Sequence, residues 1–248
     1  MTGFNNRFIR IQGDGGGGPN KDQINNSTEA GVILNEALGT GTQTLSDGET
    51  YNVVENVVGP TVQVVDFAGG GGNFGVNNPY PNAVSGQTQS QFVVGVDAFL
   101  SLEAGTYTIA FGSDDGGRLT LDGIIFDTVF RQQGPVGGVG TDTIGREAPR
   151  GFTTTGGSFT LTEDASNIQL TSFFFERSGG DAFEISIASG AQTNINGNFE
   201  LLQNGALGGA VGVTTAPVPE PTSMALFGCA MLGAGALGYR RRRRTASA

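Results

Sequence analysis

The chain has 248 residues and a net charge of −10, with 43 glycines, one cysteine and no histidine or tryptophan. The length suits one β-sandwich with appendages. The acidity argues against nucleic-acid phosphates as partners and favours cations. The missing histidine removes Ser-His-Asp and Cys-His catalysis and every zinc site that needs imidazole, and the lone Cys229 excludes an intrachain disulfide.

Residues 1–50 form an N-terminal segment of mixed character. "NNRFIRIQ" (Asn5–Gln12) alternates like a short strand. "STEAGVILNEALG" predicts a helix with Ser27 or Thr28 as N-cap and Gly39 as its stop. "GETYNVVENVVG" (Gly48–Gly59) returns to strand, and "TVQVVDF" (Thr61–Phe67) alternates. "GGGGNFGVNNPYPN" (Gly69–Asn82) is a long loop by its glycine, asparagine and proline. "QFVVGVDAFLSL" (Gln91–Leu102) and "GTYTIAFG" (Gly105–Gly112) are strands. In "RLTLDGIIFD" the Asp122-Gly123 pair between apolar segments predicts a two-residue hairpin turn. Residues Phe130–Gly151 are too polar and glycine-rich for a strand. "GSFTLTED", "NIQLTSFFFE" and "DAFEISIAS" complete a set of roughly eight to ten strands. The expected fold is all-β, an antiparallel, jelly-roll-like β-sandwich over residues 51–190. Residues 191–217 read as a Gly/Asn/Ala/Thr linker with one short strand, "NFELLQ".

The tail has a different composition. Five of the 13 basic residues are Arg240, Arg241, Arg242, Arg243 and Arg244, and no acidic residue follows Glu220. The apolar run Thr222–Tyr239, as a helix of about 1.5 Å per residue, approaches the ~30 Å hydrocarbon core of a bilayer. A single C-terminal transmembrane helix is expected, with the arginines as its cytoplasmic stop. Cys229 is then a small residue facing lipid or another helix. Residues 218–244 resemble the PEP-CTERM sorting signal of bacteria with exopolysaccharide: Pro219, Glu220 and Pro221, then the apolar span, then the arginine cluster. The resemblance implies export, recognition by an exosortase, cleavage near the Pro-Glu-Pro motif, and release or attachment at the cell surface or in the matrix. A simple membrane anchor, or a core helix with a solvated basic end, is the plainer alternative. Such a tail implies a secretory signal at the start. "MTGFNNRFIRIQGDGGGG" has no apolar run of that kind, so a lost signal peptide is expected.

In the body, "AGTYTIAFGSDDGGRLTLDG" (Ala104–Gly123) holds the most suggestive chemistry. Adjacent carboxylates at a turn are unfavourable unless solvated or bound to a cation, and hard oxygen donors suit calcium. Together with "IQLTSFFFERSGGDAFEISI" (Ile168–Ile187), this stretch resembles the protective-antigen-type β-sandwich domain of bacterial toxins, glycosidases, flocculins and adhesins. The resemblance runs from about residue 61 to 190. It implies a calcium ion held at a paired-aspartate turn, often joined by a cis peptide, that contacts sugar hydroxyls. Asp114 and Asp115 match that pair. Where those lectins place an asparagine ligand, Glu176 stands here, with Arg177 and Asp181 beside it as further ligand contacts. The plain alternative for Asp114 and Asp115 is a self-bonded turn, and for Glu176 and Arg177 an ion pair. Phe173–Phe175 and Phe183 read as core, not as a sugar platform.

The functional expectation is a non-enzymatic, exported surface or matrix protein that binds calcium and exopolysaccharide. A structural β-protein without a ligand site is the alternative. A glycan-processing enzyme built on a carboxylate pair is a third.

Overall fold

The structure is a computed structural model, and it describes residues 1–13, 18–68, 72–81 and 90–217. Two antiparallel sheets face one another. The large sheet runs β2 (Gly41–Thr44), β3 (Thr50–Val58), β1 (Asn5–Ile11), β5 (Phe92–Leu102), β11 (Ala165–Glu176), β7 (Gly116–Leu121) and β9 (Thr143–Arg146). β14 (Val211–Thr214) pairs with the far end of β5. The small sheet runs β13 (Glu200–Leu201), β12 (Ala182–Ser189), β6 (Gly105–Asp114), β10 (Thr153–Leu161) and β8 (Thr128–Phe130), with β4 (Asp66–Ala68) also on β12.

Period-two alternation places the core. From the large sheet Phe8, Phe92, Val94, Leu119 and Phe174 point inward. From the small sheet Phe67, Ile109, Phe111, Phe159, Phe183 and Ile185 meet them. The aromatic residues thus serve as core, as their sequence pattern implies. Phe174 stacks on Phe183 with ring centroids 5.0 Å apart.

Helix α1 (Ser27–Glu36) covers part of the outer face of the large sheet, over Ile9, Val53, Val93 and Phe175. Its N-cap is Asn26, which accepts the Glu29 N–H at 2.8 Å; neither Ser27 nor Thr28 takes that place. Those two hydroxyls instead donate to Glu147 at 2.6 and 2.7 Å, and Arg118 donates to the same carboxylate at 3.1 Å. The helix ends at Ala37, before Gly39. Arg7 of β1 donates to the carbonyls of Leu34 at 2.8 Å and Ala37 at 2.5 Å, supplying the donors that a helix end lacks.

Several expectations are corrected by tertiary pairing. Asp122-Gly123 forms a turn closed by Ile124 N–H on Leu121 O at 2.9 Å, but only Gly123 has positive φ, at 76°. The chain then crosses to β8 in the other sheet, so the turn joins no hairpin. Strand β9 lies inside the polar, glycine-rich segment 130–151, held between β7 and the 133–136 loop. In Thr61–Phe67 only Asp66 and Phe67 belong to a strand, and Val62 makes one bridge to Phe4. Residues 1–50 supply β1, central in the large sheet. Residues 191–217 are no free linker, because Leu202, Val211 and Val213 are core residues and β14 extends the sheet. Alternating strands there are too short to read locally.

Among the described residues, no helix is long and apolar enough to cross a membrane. The expected transmembrane span, the Pro219-Glu220-Pro221 motif and Arg240–Arg244 lie outside the described residues.

Candidate functional site

At one end of the sandwich, two connections pass between the sheets side by side. β6 of the small sheet ends at Asp114 and β7 of the large sheet begins at Gly116, so the crossing is made at Asp115. The return crossing leaves β11 at Glu176 and enters β12 at Ala182. The register of β12 against β6 sets Ala182 opposite Asp114, and that of β11 against β7 sets Phe175 opposite Gly116. Hence Asp114, Asp115, Glu176, Arg177 and Asp181, chosen from sequence, converge on one end of the fold. The Asp114–Asp115 peptide bond is cis, as the resemblance implies.

Backbone contacts lock the two corners together. Asp115 N–H donates to Phe175 O at 3.1 Å, and Arg177 N–H donates to Asp115 Oδ2 at 2.7 Å. Ser113 Oγ donates to Asp115 O at 3.3 Å. Asp181 Oδ1 accepts from the Tyr80 hydroxyl at 3.0 Å. The Tyr80 ring packs on Phe67 and Phe92 with centroids 5.6 and 5.2 Å away.

The electrostatics are those of crowded acids. Alternation sends Glu176 inward, on the face of Phe174, and it is 0 % exposed. Neither Glu176 Oε1 nor Oε2 has a hydrogen-bond partner, so the carboxyl makes no ion pair with Arg177. Burial pushes its pKa up to about 9, and the charges of Asp115, Asp114 and Asp181 add to the rise. Burial and then Asp115 raise Asp114 to about 6. Burial also raises Asp115, against the pull of the Arg177 N–H. Behind them Arg150 is lowered to about 10 by burial, beside the charges of Arg146 and Arg131.

The donors fit a hard cation in kind: all are oxygens, and the innermost carboxyl is buried with both oxygens unpartnered. As the side chains stand, no three acidic groups among the described residues are placed to hold a metal ion. A bound cation therefore requires Glu176 or its neighbours to turn toward a common point. Tyr80 and Arg150 belong to this end of the fold and were not foreseen. Tyr80 lies in the glycine-rich loop and Arg150 between β9 and β10, with no local pattern to link either to Asp114.

No protein-family model matches the chain, and no curated protein matches it. Among solved structures, the PA14 sugar-binding domain from an RTX adhesin superposes with a TM-score of 0.50 at 16 % identity, covering 87 % of this chain and 99 % of that one. The PA14 domain of the MpAFP antifreeze protein gives a TM-score of 0.42 at 14 % identity, over 88 % of this chain and 93 % of that one. At such identity the likeness to the adhesin domain shows the fold. It is the sandwich that the sequence resemblance implies, over a span longer than residues 61–190.

Proposed function

We propose that the protein is an exported cell-surface or matrix protein whose sandwich binds carbohydrate, with calcium held by Asp114, Asp115 and Glu176. The single observation that carries this is the Glu176 carboxyl, fully buried among three other carboxylates with neither oxygen bonded. An isolated carboxyl in that position is costly, and a divalent cation is the ligand that relieves it. Asp114 is partly exposed at the rim, and Asp181 and Arg177 lie beside it, placed for sugar hydroxyls. Calcium bound there supplies open coordination positions for vicinal hydroxyls. The protein is read as a binder without catalytic function. The name of the adhesin domain, which is called sugar-binding, supports the choice of ligand class.

The PEP-CTERM-like tail completes the proposal. An exosortase acts near Pro219, Glu220 and Pro221, the apolar span holds the chain in the membrane before processing, and Arg240–Arg244 stop it. Exopolysaccharide is the glycan met at that surface.

One observation favours a second reading, a structural sandwich without a ligand: among the described residues, no three acidic groups stand ready around one point. Calorimetric titration of the full chain with calcium decides between them, run beside the Asp114→Asn/Asp115→Asn double variant. The proposal expects one calcium equivalent to disappear in the double variant, and glycan-array binding to disappear with it. An unchanged titration supports the structural reading.

A further inference from the structure

A second pair of acids lies on the outer face of the small sheet. β4 sets Asp66 directly opposite Glu184 of β12. Their neighbours Phe67, Phe183 and Ile185 fill the core, so alternation sends both carboxylates outward on the same face. Directly opposed residues on one face stand about 4.5–5.5 Å apart at Cβ. Yet neither meets solvent, since Asp66 and Glu184 are each 1 % exposed.

The segment 72–78 buries them. Asn73 donates to Glu184 through its backbone N–H at 2.8 Å and through its side-chain amide. Val76 and Asn77 donate their N–H groups to Asp66 Oδ2 at 2.8 and 3.2 Å. The other oxygen, Asp66 Oδ1, is buried and has no hydrogen-bond partner. The sheet also makes room for the pair, because a Cβ at Gly112 would stand 2.8 Å from Glu184 Cγ. The ion pairs among the described residues include neither acid. Burial raises the Glu184 carboxyl, and Asp66 raises it further. All donors to the pair are neutral amides, so no positive charge faces the two buried carboxyl groups.

We propose that Asp66 and Glu184 form a second divalent-cation site, distinct from the Asp114–Asp115 corner, which clamps the 72–78 segment to the sheet. A divalent ion cancels the charge of two carboxylates, and it gives Asp66 Oδ1 the partner it lacks. The Thr154 hydroxyl, 3.0 Å from the Asn73 side-chain nitrogen that also donates to Glu184, brings a further oxygen beside the pair. An all-oxygen set on a loop suits calcium.

The site stands independently of the proposed lectin function, and the test separates the two. Calcium alone is the probe, bound to the full chain and measured by equilibrium dialysis in the Asp114→Asn/Asp115→Asn background. One equivalent is expected to remain there and to vanish when Glu184→Gln or Asp66→Asn is added. In chelator, Glu184→Gln melts at or above the parent, because a repulsive charge is gone. In calcium the order reverses, by about 3–6 °C for a chain of this size. No calcium retained in the background, or retention unchanged by either added substitution, overturns the proposal and leaves a proton shared between the two acids. Failure of Glu184→Gln to fold in chelator also overturns it, because the uncompensated charge would then not be the destabilising element.

Discussion

Replacing Glu176 with glutamine removes the ionisable group and nearly preserves its shape. In the unfolded chain the carboxyl titrates near 4.5, whereas in the fold burial and three acidic neighbours push it to about 9. Between these values the folded protein holds a proton that the unfolded chain has lost. Stability from this group is therefore full below pH 4.5 and falls as pH rises toward 9. At pH 7 the penalty, at about 1.4 kcal/mol per pH unit, comes to about 3 kcal/mol; glutamine does not incur it. With chelator present, Glu176→Gln is expected to exceed the wild type by about 2–3 kcal/mol at pH 7, or roughly 4–10 °C in Tm. The gap should close below pH 4.5, where both side chains are neutral in both states. Urea melts across pH 4–8.5 in chelator measure it. With calcium the order should invert if Glu176 is a ligand. A variant less stable than wild type at pH 7 in chelator would refute the reasoning, because it would mean that Glu176 is ionised in the fold and held by a positive partner.

Glu147→Ala removes the acceptor for Ser27, Thr28 and Arg118. A loss of about 1–3 kcal/mol is expected, with faster hydrogen exchange confined to the first turn of α1. These bonds lower the Glu147 pKa, so their contribution is present above its ordinary pKa and is lost in acid as pH falls through the lowered value. Arg7→Ala frees the carbonyl of Leu34 and leaves that of Ala37 with the Asn56 amide alone; exchange should rise at the end of α1, as followed by amide NMR, with the β6–β7 corner unchanged. Phe174→Ala opens the core between the sheets and should cost about 3–5 kcal/mol in denaturant melts. Gly123→Val places a β-branched residue at a φ of 76° and should cost about 1–2 kcal/mol, whereas Asp122→Ser should be nearly neutral.

The strands with clear alternation were legible without any structure. β1, β3, β5, β6, β11 and β12 fall where their apolar periodicity puts them, because a sheet buried on one face writes its inward set into every second residue. β10 begins at Thr153, four residues before the expected strand. The convergence of Asp114, Asp115, Glu176 and Asp181 was legible only through family resemblance, since no local pattern joins residues 62 positions apart. Other features were decided by tertiary contact. β9 and β14 are four residues each in glycine-rich segments, and only the waiting edges of β7 and β5 make them strands. The Asp122-Gly123 turn was written locally, but its partner strand was not; the core position of Leu119 and Leu121 in one sheet and of Phe126 between the sheets carries the chain across. The cap of α1 moved to Asn26 because Glu147 and Arg118, 90 or more residues away in sequence, claim the hydroxyls of Ser27 and Thr28. The acids of Asp66 and Glu184 sit at outward positions, where alternation predicts solvent, and only the 72–78 segment folding over them makes them buried. Sequence by itself determined which residues face inward along each long strand, because that depends on the period of a single chain. Tertiary structure decided which outward residues lose their water, because that depends on what a distant segment covers.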